Sequence, residues 1–334
     1  GGYYNHNFQI QEFRTPEFSV SASVNEGPHM ALGKATATVE AKYYAGGVLP
    51  NAETNWHVVT RESSFTPPNQ EQYTFGVWTP WWIRHNNVGS SFSESFTAKT
   101  DAAGMHSLEM EFSAIQPPQP MTVSLNASVM DVNRQQWTAK TSTLVHPSEF
   151  YVGLKTARYF VEKGTPLEVE IIAADIDGNV VANRPVKVRA SRTKWNWRGG
   201  EYTEELVETQ ECDFMTTTAP HKCTFTTEVG GQYKIAATTS DDYGRLNYTA
   251  ITRWVSGGKR PISRKIEIEK INLIPDRDEY QPNDTAELLV QSPFVPAEGL
   301  LTIRRNGIEE HQRFTMAEST MTLKIPVKMT HIPN

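Results

Sequence analysis

The sequence is poor in the features that most quickly betray a protein's chemistry. Among 334 residues there are two cysteines. No apolar run approaches the roughly 20 residues a membrane helix needs. Lys and Arg total 32 against 38 Asp and Glu, a formal net charge of −6. That leaves no electrostatic footprint for nucleic acid or for direct contact with an anionic membrane. The nine histidines are scattered singly from His6 to His331, with no His-Glu-x-x-His and no Gly-x-Ser-x-Gly. Neither zinc hydrolysis nor a nucleophile elbow is signalled, so no enzyme and no cofactor is expected. Gly1 opens the chain without the charged start and apolar core of a signal peptide, and the whole reads as a soluble piece of something longer. No long window carries helical periodicity.

What is present is strand. Apolar residues alternate at Ala37, Val39 and Ala41, at Leu167, Val169 and Ile171, and at Val186 and Val188, each set lining one face of a pleat. Turn signals such as Ala45-Gly46-Gly47, Asp177-Gly178-Asn179 and Asp241-Asp242-Tyr243-Gly244 separate them. Turns recurring about every 8 to 12 residues predict an all-β protein of immunoglobulin-like sandwiches.

The pattern also repeats. The stretch from Gly33 can be laid over the stretch from Gly164, with Asn51 matching Asn183, and strand pairs around Asp131 and Asp241 resemble each other. A third copy begins at LIPDRDEYQPNDTAELLVQS, with Gln281-Pro282-Asn283-Asp284 standing where Gly164 stood. These matches predict sandwiches at 1–147 and 148–258, a linker at 256–263, and an incomplete sandwich at 264–334. In the third copy TMTLKIPVK, residues 320–328, is the predicted strand before a missing final hairpin. The first copy exceeds the second by an aromatic insertion at 65–92.

Four features are candidate sites. Cys212 and Cys223 flank a polar loop, and a cross-strand disulfide would add roughly 3 kcal/mol and imply an oxidising compartment. Two free thiols, or a poorly liganded metal site with His221, are the alternatives. Asp175-Ile-Asp177-Gly178-Asn179 has the opening ligands of a calcium loop, but a hairpin turn needs the same residues. The acidic run at Glu201, Glu204, Glu205, Glu208 and Glu211 reads as a solvated strand. Finally, Trp78, Trp81 and Trp82 lie close to Pro67, Pro68 and Pro80. They are either a sugar-stacking platform or a buried contact between domains, and the second is preferred because Trp is usually well buried. Trp195 and Trp197 are candidates for the other half of such a contact. Asn126, Asn247 and Asn283 stand in Asn-x-Ser/Thr sites.

One string is more specific. FQIQEFRTPEFSV, residues 8–20, reads as the last strand of one domain bent at Pro16 into the first strand of the next. With YYAGGVLPNAE, YTFGVWTPWW and LIPDRDEYQPNDTAELLV, it resembles the junctions and macroglobulin domains of the α2-macroglobulins, over almost the whole chain. The resemblance implies tandem seven-stranded macroglobulin domains from the middle of a periplasmic, extracellular or membrane-anchored protease trap. Its partners would be proteases, through the full-length parent, and neighbouring macroglobulin domains. The family's thioester is a Cys followed within three residues by Gln, which neither Cys212 nor Cys223 matches, and no bait region can be assigned. The alternative is a cell-surface adhesin or carbohydrate-binding array of immunoglobulin-like domains.

Overall fold

In strand β3 (Lys34–Tyr43), Ala35, Ala37, Val39 and Ala41 are buried, while Thr36, Thr38 and Glu40 between them stay partly exposed. The pleat sends alternate side chains to opposite faces, so this pattern commits β3 to a sheet with one face covered. The computed structural model describes residues 17–79, 91–114, 116–198, 201–258, 271–304 and 307–331. Its regular elements are strands apart from one short 3-10 turn at Met329–His331. They fall into two compact units.

The first unit comprises residues 17–63, 91–114 and 120–146. Strands β1 (Phe18–Val24), β3 and β6 (Met105–Glu111) form a three-stranded sheet in the order β1-β3-β6. The second sheet uses β2 (His29–Met30), β4 (Glu53–Glu62), β5 (Ser91–Lys99), β7 (Met121–Met130) and β8 (Gln136–His146), ordered β2-β8-β7-β4-β5. Phe18, Val39, Trp56, Leu125 and Val129 meet in the core between them. The Trp56 indole N–H donates to His106 Nδ1 at 3.1 Å, which meets the one polar demand of that buried ring.

The second unit comprises residues 64–79, 116–119 and the described residues from 147 on. It repeats the first design strand for strand. Its three-stranded sheet holds β9 (Phe150–Lys155), β11 (Leu167–Asp175) and β14 (His221–Phe225), ordered β14-β11-β9. Facing it are β10 (Phe160–Val161), β12 (Pro185–Arg198), β13 (Glu201–Met215), β15 (Gly231–Ser240) and β16 (Leu246–Val255), ordered β10-β16-β15-β12-β13. The same unit continues with β17 (Asn272–Pro275), β18 (Thr285–Gln291) and β21 (Thr320–Pro326) in one sheet, and β19 (Ala297–Arg304) paired with β20 (Ile308–Met316) in another. By pairing order these five correspond to the first, third, sixth, fourth and fifth strands of the repeat. The described residues contain no counterpart of its last hairpin.

The shared turns explain why the repeat can be read. Asp101, Asp131, Asp175 and Asp241 each open a five-residue turn whose fifth N–H donates to the opening carboxylate, at 2.9, 2.7, 2.8 and 2.9 Å. The fourth residue has positive φ and is Gly104, Arg134, Gly178 or Gly244. Another device is shared by Asn51 and Asn183, at φ 55° and 60°, which donate to the carbonyls of Thr100 and Thr216. The match of Gly33 with Gly164 is shifted by one residue. The positive φ belongs to Leu32, Gly164 and Asn283, whose N–H groups donate to the carbonyls of Phe112, Thr227 and Val327.

Candidate functional site: aromatic strap and arginine seam

Residues 65–79 form a strap on the second sandwich. Thr74 and Leu154 exchange two backbone hydrogen bonds, at 2.8 and 3.0 Å, and Trp78 N–H donates to the Ala250 carbonyl at 2.8 Å. Under the strap lie residues that parity would otherwise send to solvent. Ile172 and Ala174 point away from the sandwich core, yet both are buried against Tyr73 and Phe75. Phe65 packs on the Tyr151 ring at 5.0 Å. At Gly153 a Cβ would stand 2.7 Å from Phe75, and at Gly178, with φ 89°, it would stand 1.9 Å from the Pro68 carbonyl oxygen. Only glycine fits under those two crossings. The strap thus makes β9 a strand buried on both faces.

Trp78 ends the described part of the strap and begins a seam. Its half-buried ring stacks on Tyr159 at 5.2 Å and meets Trp254 edge-on at 6.3 Å. The Arg253 guanidinium, in a residue only 3% exposed, lies 4.9 Å from both the Trp78 and Tyr159 ring centres. Its Nε donates to Thr156 Oγ1 at 2.5 Å and its Nη1 to the Thr252 carbonyl at 2.7 Å. Burial pulls Arg253 down to about 10, with Tyr159 and Asp278 opposing, so it remains a cation at neutral pH. A desolvated cation against two aromatic faces gains about 2 kcal/mol. Burial and the hydrogen bond its hydroxyl donates to Asp278, at 2.5 Å, push the Tyr159 phenol upward. Arg158 pairs with Glu287, and Phe160 and Trp254 share a core with Ile274 and Leu289. These contacts join β10 and β16 to β17 and β18. A cavity of about 280 Å³ opens beside the seam, lined among others by Tyr73, Lys155, Arg158, Arg253 and Asp278. Its lining mixes both signs of charge.

Of the sequence-predicted contact residues, Trp78 takes part in this seam. Trp81 and Trp82 lie outside the described residues, as do the side chains of Trp195 and Trp197 and the first nine residues of the string 8–20. Arg253, Tyr159 and Asp278 escaped sequence reasoning, since nothing in their local pattern marks them.

Cys212 and Cys223 are bonded, with Cα atoms 6.2 Å apart. The geometry is not cross-strand pairing. β13 pairs with β12 and β14 with β11, so the bond crosses the core between two facing sheets. The His221 ring stacks on Phe214 with centroids 3.7 Å apart. At Asp175, Oδ1 accepts from the N–H of Asp177 and Asn179, and Oδ2 accepts from the Asn179 amide. Those oxygens are spent on the turn. The acidic run is likewise engaged, with Glu208 bonded to Arg192, Glu211 to Arg189 and Glu204 to Thr193 along the hairpin. Asn247 is buried and accepts from the Val152 N–H at 3.0 Å, whereas Asn283 is exposed at its turn.

No family model matches the chain. The "Alpha-2-macroglobulin homolog" of Nostoc sp. is 24% identical over 335 residues, covering 98% of this chain, which spans 17% of that relative's length. "Circularly permutated Ras protein 2" of Dictyostelium discoideum is 31% identical over 186 residues, 52% of this chain and 5% of that protein. Among solved structures, trypsin-activated alpha-2-macroglobulin from Escherichia coli superposes with a TM-score of 0.51 at 17% identity, over 95% of this chain and 22% of its own. That likeness speaks for the fold, and the Nostoc match for the sequence. Over nearly its whole length the chain is similar in sequence to an α2-macroglobulin homolog, and its fold is that of macroglobulin-like β-sandwiches.

Proposed function

We propose that this chain is a structural segment of a protease-trapping α2-macroglobulin, working in the periplasm or outside the cell, with neither bait region nor thioester of its own. The observation that carries the reading is the Trp78–Arg253–Tyr159 seam. It spends the Trp78 ring on Tyr159, Trp254 and Arg253, contacts that hold strands together. Both cysteines are consumed in a disulfide, which supports an oxidising compartment and leaves no thiol for a thioester. In this reading the boundaries fall at 1–147, 148–258 and 264–334, with the third sandwich lacking its last hairpin. Trp78, with Trp81, Trp82, Trp195 and Trp197, belongs to contacts between neighbouring macroglobulin domains. Proteases meet the full-length parent and not this segment.

The test is to incubate residues 1–334 with excess and with equimolar endopeptidases of several classes and follow cleavage of a protein substrate. The expected result is full residual protease activity, with no covalent adduct on a denaturing gel. Stoichiometric inhibition would overturn the scaffold reading.

A further inference from the structure

The loop and sheet edge around the disulfide hold a third group. One nitrogen of the His221 ring and the sulfurs of Cys212 and Cys223 all lie within 4.8 Å of one another. Among the described residues no other cluster of three or more metal-capable side chains exists. His221 and Cys223 are two positions apart on β14 and therefore project from the same face. Cys223 is buried, while Cys212 and His221 are half-exposed and give an ion a way in.

The first sandwich supplies the comparison. Through the shared register, Trp56 pairs with Phe96 as Val188 pairs with Cys212, and Val39 pairs with His106 as Ile171 pairs with His221. The place of Cys223 is taken by Leu108. In the first sandwich the histidine is occupied, because His106 accepts the Trp56 indole N–H. In the second, Val188 stands where Trp56 would be and offers no donor. Among the described residues no hydrogen bond engages the His221 ring, which Phe214 only stacks upon.

We propose that Cys212, Cys223 and His221 form a redox-gated metal site. Oxidised, the two sulfurs tie the facing sheets; reduced, two thiolates and one imidazole bind a thiophilic divalent ion such as zinc, with water in the fourth position. A dithiol reductant delivers two electrons and two protons to the sulfur pair and becomes a disulfide itself. The ion then displaces the two thiol protons and takes both thiolates. Tetrahedral zinc, with Zn–S near ~2.3 Å and Zn–N near ~2.1 Å, sets its sulfurs roughly 3.8 Å apart. The 6.2 Å Cα separation accommodates that spread through side-chain rotation. Three protein ligands leave one position open, as in non-structural zinc sites.

The test uses the whole chain, reduced by a dithiol under inert gas, freed of reductant, and titrated with cobalt(II) and then zinc. The reduced protein is expected to gain a sulfur-to-cobalt charge-transfer band that saturates at one equivalent and is displaced by zinc. Two protons should be released per ion, and the oxidised protein should show neither. His221→Phe, which leaves the disulfide available, should weaken the reduced protein's cobalt affinity at least about tenfold and alter its visible spectrum. Absence of the charge-transfer band, or equal affinity and spectrum in H221F, would overturn the site. Should reduction cost strand content by circular dichroism, zinc must restore it; failure to do so would also overturn the proposal.

Discussion

Trp78 matters because of what it covers. Without its ring Arg253 would keep Tyr159 on one side and lose its aromatic partner on the other. Trp78→Ala should therefore lower the stability of the second unit by about 3 kcal/mol, from lost packing and a less well compensated buried cation. Denaturant unfolding followed by tryptophan fluorescence measures it, and W78F should recover more than half of the loss. A second residue-scale effect concerns His146. It is buried beside His29, and burial, aided by that neighbour, holds its imidazole below the ordinary value of 6.5. The folded state thus binds fewer protons than the unfolded one, and stability falls as pH drops below about 6.5 until the folded pKa is passed. Thermal melts between pH 7.5 and 5 should show this loss, and His146→Val should flatten it. Valine supplies an apolar side chain that cannot titrate; in the second sandwich the corresponding position is Ser256, since Met121 pairs with Val145 where Gly231 pairs with Val255.

At the scale of elements, the disulfide closes an eleven-residue separation between two sheets that face each other. Replacing both cysteines by serine should cost about 3 kcal/mol on the chain-entropy model. Unfolding midpoints of the double variant against the oxidised parent check this, and the reduced parent should resemble the variant. The strands themselves were legible in the sequence because alternation at Ala37, Val39 and Ala41 reports a one-sided burial directly. The turns were legible because Asp and Gly serve a five-residue hairpin that recurs. The register of the repeat slipped by one because the first copy puts Leu32, a residue that does not advertise positive φ, where the others have Gly164 and Asn283. Which sheet each cysteine would join was hidden, since β13 and β14 pair with strands distant in sequence. The seam was hidden for the same reason. Tyr159 and Arg253 meet Trp78 from two separate stretches, with Thr156 accepting from Arg253, and no local pattern in either anticipates a buried cation.

For the whole molecule, boundaries in sequence and boundaries in space differ. The strap is encoded between β4 and β5 of the first unit, yet its residues 64–79 belong to the second. A gene fragment encoding only residues 147–334 would therefore be born without its own cover. Tyr151, Ile172 and Ala174 would meet water, and two glycines shaped for a crossing chain would flank an empty groove. Such a fragment is expected to express poorly and bind hydrophobic dyes, and adding a synthetic peptide of residues 64–79 in trans should restore its solubility and suppress dye binding. Light scattering and dye fluorescence with and without the peptide decide the matter, and a scrambled peptide serves as control. The strap, in that sense, is a detachable subunit that happens to share a chain with what it completes.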